Sequence, residues 1–213
     1  MLVCWSVGGG VGTSVVVAGL AAAAERTGDR TLVVDLGGDQ PALFDVPEPE
    51  GPGVAEWLRA SSDVPQAALR HLEVDLLDGV ALLPRGSGAL RPDRSPALAA
   101  ALLADDRSIV VDAGLLRPGT VAAGLVDADR SLLVVRACPL SLRRLERSSA
   151  SPTGIVVVRD RRRSVTWREV AAAARAPVVA ELEVDPAVAA AVDAGLRRRP
   201  LPRRFVRALD GLR

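Results

Sequence analysis

A glycine run, Gly8-Gly9-Gly10-Val11-Gly12, followed by Thr13-Ser14, separates an apolar N-terminal stretch from a long Ala/Val-rich segment. Glycine costs conformational entropy wherever a positive φ is not required, so four glycines in five residues mark a backbone bent out of the ordinary range. The pattern reads as a buried strand over Leu2 to Val7, a glycine turn, and a helix from Ser14 to Arg26 ended by Gly28. Such a turn aims backbone N–H groups and the positive end of a helix dipole at one point, and so favours an anion such as a phosphate.

The remaining pattern is strand and helix in alternation. Apolar runs at Thr31 to Asp35, Ser108 to Asp112, Ser131 to Arg136, Gly154 to Arg159 and Val178 to Leu182 read as strands. Helices are expected over Val54 to Ala60, Ser95 to Ala104, Thr120 to Val126, Pro139 to Ser148 and Pro186 to Ala194. Thr166-Trp167-Arg168-Glu169 carries the capping-box pattern of a further helix. His71 to Leu83 places two apolar runs around Asp78-Gly79, a hairpin signal. Gly37 to Gly53 and Pro84 to Asp93 read as loops. The fold class expected is α/β: one doubly wound, mostly parallel sheet with helices on both faces, in a single domain over residues 1–213. With 213 residues, 49% of them hydrophobic, the chain has enough apolar material for that core.

The net charge of +1 supplies no global field toward nucleic acid or membrane. The first strand opens without a leader ahead of it and no apolar run is long enough to span a bilayer, so a cytoplasmic protein is expected, with peripheral membrane attachment the other option. Cys4 and Cys138 stand alone in apolar runs and read as reduced, buried thiols. His71 has no acid or cysteine cluster around it and is assigned no role.

A phosphate loop reads G-x-x-x-x-G-K-[ST], which puts a lysine immediately before Ser14. Thr13 is there instead, and the chain contains no lysine at all: every basic residue is arginine. Asn and Tyr are also missing, as expected of a GC-rich coding background, but that bias turns lysine into arginine and does not account for threonine. A dinucleotide site is a competing reading. Gly8-x-Gly10 follows a strand and Asp35 lies beyond it as a ribose-binding acid, although the third glycine of G-x-G-x-x-G would fall at Thr13.

Gly8 to Ser14 resembles the deviant Walker A loop, K-G-G-x-G-K-[ST], of the ParA/MinD family of positioning ATPases, and the likeness extends along nearly the whole chain. Thr31 to Asp35 resembles the family's strand into switch I, Gly53 to Leu58 its following helix, and Leu82-Leu83-Pro84 its leucine-proline strand end. Ile109 to Asp112 resembles the Walker B strand, and Ser131 to Arg136 with Pro139 to Arg143 also matches. The resemblance implies that Gly8, Gly9, Gly10, Val11, Gly12, Thr13, Ser14, Asp35 and Asp112 form the remnant of a site for ATP or ADP, with Ser14 and Asp112 at a magnesium ion. It also marks the departures. Gly8 stands for the signature lysine, Thr13 for the loop lysine, Gly37 for the switch acid that positions water, and Arg159 for an adenine-reading asparagine. Asp39 is the candidate stand-in for the acid, and Arg159 or Arg117 for a lysine. No catalytic residue is assigned.

What the resemblance implies is a degenerate member, a pseudo-ATPase serving as a binding or scaffolding module in a division, partitioning or secretion system. A weak, partner-stimulated ATPase is the alternative. A protein partner and a homodimer are the expected associations. A basic segment over Leu201 to Leu212 places Leu201, Phe205, Leu209 and Leu212 at helical spacing among arginines, and reads as a core helix or as a membrane or DNA contact. Arg159 to Arg163 is a second basic patch.

Overall fold

The computed structural model describes residues 1–47, 50–60 and 66–212. Residues 48 and 49, within the loop expected over Gly37 to Gly53, and Arg213 lie outside the described residues. The chain runs β1 (Leu2–Ser6), α1 (Thr13–Thr27), β2 (Thr31–Asp35), α2 (Gln40–Phe44) and α3 (Val54–Arg59). A 3₁₀ segment, Gln66–Leu72, leads into β3 (Val74–Leu77) and β4 (Val80–Leu83), the hairpin expected at Asp78-Gly79. Then come α4 (Ser95–Leu103), β5 (Ser108–Leu115), α5 (Val121–Val126), β6 (Arg130–Arg136), α6 (Pro139–Leu145) and β7 (Gly154–Arg159). The chain closes with α7 (Trp167–Ala174), β8 (Val178–Glu183), α8 (Pro186–Ala194) and α9 (Arg203–Arg207).

The strands form one eight-stranded sheet in the order β3-β4-β2-β5-β1-β6-β7-β8, parallel throughout except for the β3–β4 pair. This is the doubly wound sheet that the sequence pattern predicts. β1 and β2 are buried along their whole length, which is why they read as unbroken apolar runs rather than as alternating ones. Successive residues of β1 serve opposite layers. Cys4 belongs to the core layer that holds α1, α8 and α9, whereas Trp5 belongs to the layer that holds α3, α4, α5, α6 and α7. β1 lies between β5 and β6, so the glycine turn leaves the sheet where the strand order reverses, the usual ligand crevice of such folds.

The pairing of β1 with β5 is irregular. Cys4 is opposite Asp112 but Trp5 is opposite Gly114, leaving Ala113 as an inserted residue. Bulges re-aim side chains and commonly stand beside functional sites. Here the bulge extends β5 to Leu115, beyond the expected end at Asp112.

Three further expectations are corrected. Part of the Gly37 to Gly53 loop is helix α2, started by Pro41 in its first turn, where a missing N–H costs nothing. Cys138 is half-buried rather than buried; it stands at the N-cap position of α6, and its Sγ lies 3.2 Å from the Ser141 hydroxyl. The final helix spans only Arg203–Arg207, behind Pro202. The apolar residues of that segment face inward, with Leu201, Phe205 and Leu209 all buried, so they are not free to enter a membrane. Gly19 of α1 makes this possible: a Cβ there would stand 2.6 Å from Leu209 Cδ1 and 2.8 Å from Phe205 Cε1. Gly19→Val is therefore expected to destabilise the protein by about 1–3 kcal/mol through overpacking, read as a lower urea midpoint. An unchanged midpoint would mean that α9 does not rest on α1.

Candidate functional site

The glycine loop has the shape that its sequence demands. Gly10 and Gly12 take φ values of 69° and 97°, in the left-handed region where a side chain is strained, and nothing lies within 4 Å of a Cβ built at either. Gly12 precedes α1, and its carbonyl accepts the first helical bond from Val16 N at 2.9 Å. The mouth of the loop is a cavity of about 560 Å³, walled by residues 9–15 together with Ser6, Gly37, Asp39, Leu43 and Gly114. An adjoining cavity of about 290 Å³ shares Gly10 to Gly12 and continues over Val158, Leu182 and Phe205. The two form a trough across the carboxyl ends of the central strands.

Asp35 and Asp112 are register partners on β2 and β5, and both are fully buried. Each is held by backbone. Asp35 Oδ1 accepts from Gly38 N at 2.7 Å and Oδ2 from Gln40 N at 2.9 Å. Asp112 Oδ1 accepts from Gly114 N at 3.1 Å, the N–H that the bulge brings round. The residue that joins the two acids is Gln40, which sequence reasoning passed over as part of a loop. It is fully buried, and its Nε2 donates to Asp112 Oδ2 at 2.6 Å and to the Ser14 carbonyl at 3.1 Å. One carboxamide thus ties the Walker B-like acid to the first turn of α1. The signal that could have found it is Gln-Pro five residues past a strand-ending acid, a polar residue placed to start a helix beside the loop.

The electrostatics follow from this burial. Asp35 is pushed up to about 6, first by desolvation and then by the Asp112 carboxylate, against the two N–H groups that favour its charged form. Burial likewise raises Asp112, opposed by the hydrogen bonds from Gln40 and Ser14. The Cys4 thiol, beneath Asp112, is raised by burial and by that same charge.

Asp39 is exposed, yet it is more than a solvated turn residue, because its Oδ2 accepts from the Ser14 hydroxyl at 3.1 Å. Gly37 is exposed at the cavity wall, with only Asp35 Oδ1 near a Cβ position, at 3.7 Å. Arg159 is not brought to the loop: it lies 3.8 Å from Glu181 and 3.9 Å from Glu183 on β8. Arg117 is exposed in the segment after β5 and lines neither cavity of the trough. Asp35 does not suit a ribose, since backbone N–H groups take up both its oxygens.

A magnesium ion needs oxygen donors converging on one point. Here an N–H of Gln40 stands against Asp112 Oδ2, and the Ser14 hydroxyl lies between Asp39 and Asp112, favouring the charge of both. Among the described residues no group of three or more His, Cys, Asp or Glu is disposed to hold a metal. In this arrangement Gln40 occupies one oxygen of Asp112, where a cation would otherwise sit, whereas the glycine amides fit an anion.

The family model for the cellulose biosynthesis protein BcsQ matches residues 1–109, a span that carries the glycine loop, Asp35 and Gln40. The chain belongs to this ParA/MinD-like family. Solved structures of other ParA/MinD proteins share the fold over almost the full length of the chain. MinD from Pyrococcus horikoshii, solved with Mg-ADP, superposes with a TM-score of 0.75 at 18% identity, over 100% of this chain and 97% of that one. A ParA family ATPase from Chlorobium tepidum gives 0.75 at 19% identity, over 98% and 95%. The MinC:MinD complex of Aquifex aeolicus gives 0.75 at 17% identity, over 99% and 94%. A sequence search of curated proteins finds no match.

The raised Asp35 fixes the sign of a pH effect within this BcsQ-family site. The folded state holds the Asp35 proton up to about pH 6, and the unfolded state only to the ordinary 3.8. The contribution of Asp35 to stability is therefore full below about pH 4 and falls as the pH rises through 6, by roughly 3 kcal/mol in all. Relative to wild type, Asp35→Asn should gain in urea midpoint between about pH 4 and pH 7.5. A difference that stays constant with pH would sink the assignment.

Proposed function

We propose that the protein is a catalytically degenerate ParA/MinD-like protein, a pseudo-ATPase that works as a binding or scaffolding module for a protein partner. The system it serves is one of positioning, in division, partitioning or secretion, and the family name adds cellulose biosynthesis to that range. The MinC:MinD complex is a solved precedent in this fold for a protein partner. A homodimer and a weak, non-catalytic contact with ATP or ADP belong to the same reading.

The observation that carries it is the Gln40 clasp in a chain without lysine. Thr13 is 6% exposed and, being a threonine, brings no charge to the loop, and Gly8 brings no side chain at all. A hydrogen bond to a charged group contributes about 1.5–3 kcal/mol, so one missing lysine weakens phosphate binding ~10- to 150-fold. Turnover suffers more, because phosphoryl transfer is catalysed by positioning and charge, and a single transition-state cation is worth about 10³–10⁵ in rate. With both lysines absent, the switch acid replaced by Gly37, and an amide hydrogen against Asp112, binding outlasts catalysis.

One contact supports a second reading, a partner-stimulated ATPase: Asp39 stands 3.1 Å from Ser14 Oγ and lines the loop cavity, two residues past Gly37. The two readings separate in one assay. With ATP and magnesium, the first expects no release of phosphate above background, with or without an arginine-bearing partner, while ATP or ADP raises the melting temperature by a few degrees at most. Turnover that is lost in both Ser14→Ala and Asp112→Asn would overturn it. Strong stimulation by a partner, abolished in Asp39→Asn, would establish the second.

A further inference from the structure

On the opposite face of the sheet from α1 lies a separate cavity of about 380 Å³. Its walls include Trp5, Val7 and Val126 on the apolar side, with Arg144 of α6 and Arg147 beyond it on the polar side. Arg144 reaches back to the glycine loop. A Cβ built at Gly8 would run into its Nη1, so the guanidinium rests where any side chain at position 8 would have to be.

Trp5 is 0% exposed and its indole Nε1 has no hydrogen-bond partner, an arrangement that folded proteins rarely leave unexplained. Some arginines of the chain are paired, Arg107 with Glu73 and Asp105, Arg161 with Glu183, Arg204 with Asp185, while others, such as Arg117 and Arg143, make no ion pair among the described residues. Among the described residues, neither Arg144 nor Arg147 makes an ion pair, and the one carboxylate of the cavity wall, Asp127, pairs with neither. The Ser148 and Ser149 hydroxyls stand in the same wall. Two guanidiniums and two hydroxyls thus line a space of small-molecule size, with the buried Trp5 behind its apolar side.

We propose that this cavity binds a small organic anion, a carboxylate or phosphate monoester carried on an apolar body. The anionic head is held by Arg144 and Arg147, whose charge no protein carboxylate neutralises, and the body lies against Val7 on the side of the cavity that Trp5 and Val126 back. Through Arg144 the site adjoins the glycine loop at Gly8, yet it does not depend on whether that loop binds or hydrolyses a nucleotide.

The test uses the ¹⁵N-labelled full chain, whose three tryptophans give three indole N–H signals, with that of Trp5 identified by Trp5→Phe. Phenyl phosphate and benzoate serve as probes, with benzyl alcohol as the neutral control. At least one anionic probe is expected to shift the Trp5 signal saturably, with half-saturation below about 1 mM, and benzyl alcohol is expected to leave it in place. Arg144→Gln and Arg147→Ala should each weaken the response by about tenfold or more. A Trp5 signal unmoved by both anions would overturn the proposal, as would an equal shift with benzyl alcohol. So would undiminished binding in both arginine variants, or movement confined to the amides of Gly10 to Ser14.

Discussion

The contact between Asp35 and Asp112 governs the centre of this protein. The two acids are register partners on adjacent parallel strands, fully buried, and each raises the energy of the other's charge. Such a pair is costly unless donors meet it from the protein. The donors come from the chain that leaves β2: Gly38 N and Gln40 N reach Asp35, and the Gln40 side chain crosses to Asp112. The turn over residues 36–40 is therefore folded onto the acids, and Asp39 is delivered to Ser14 as a consequence. A network of this kind is worth more intact than its separate pairs suggest, because removing one donor exposes both charges.

The same constraint explains why one strand end serves two sites. The bulge at Ala113 lets Gly114 N turn back to Asp112 and puts the Gly114 carbonyl 3.1 Å from Ser6 Oγ, which also donates to Gly8 O at 3.1 Å. Ser6 pins the start of the glycine loop between two carbonyls. One residue earlier, Trp5 faces the other layer and forms part of the cavity of Arg144. The spacing of two along a strand thus separates the glycine trough from the arginine cavity while keeping them within a few residues of each other.

The fold was legible in the sequence because its signals are local. Buried parallel strands make unbroken apolar runs, Asp78-Gly79 dictates a hairpin, and Thr166 with Glu169 forms the capping box that the spelling promises. The loop glycines were legible for the same reason, since φ values of 69° and 97° leave few alternatives. The clasp was not legible, for it joins Gln40 to a residue 72 positions away. A glutamine in a polar, proline-containing stretch carries no mark of the acid it will meet. Arg144 was missed likewise, because its proximity to Gly8 is made by the sheet. The C-terminal segment was legible as a core helix, and Gly19 lets its apolar face sink onto α1, but its spacing overstated the helix's length.

The substitutions in the glycine loop are better understood as a set than one by one. Deletion of a long side chain, with nothing else changed, leaves space behind it, and protein interiors do not keep such space without cost. Gly37 fits that description, being exposed with room around it. Gly8 does not: its missing side chain is replaced in space by the guanidinium of Arg144, from an element far along the chain. Thr13 packs into the protein, and Gln40 meets Asp112 with a donor of the sign that a cation would supply. Gly8 and Thr13 are thus both accommodated by what surrounds them. The acids behind the loop are met by donors from within the chain, Gly38 N and Gln40 on one side and Gly114 N on the other.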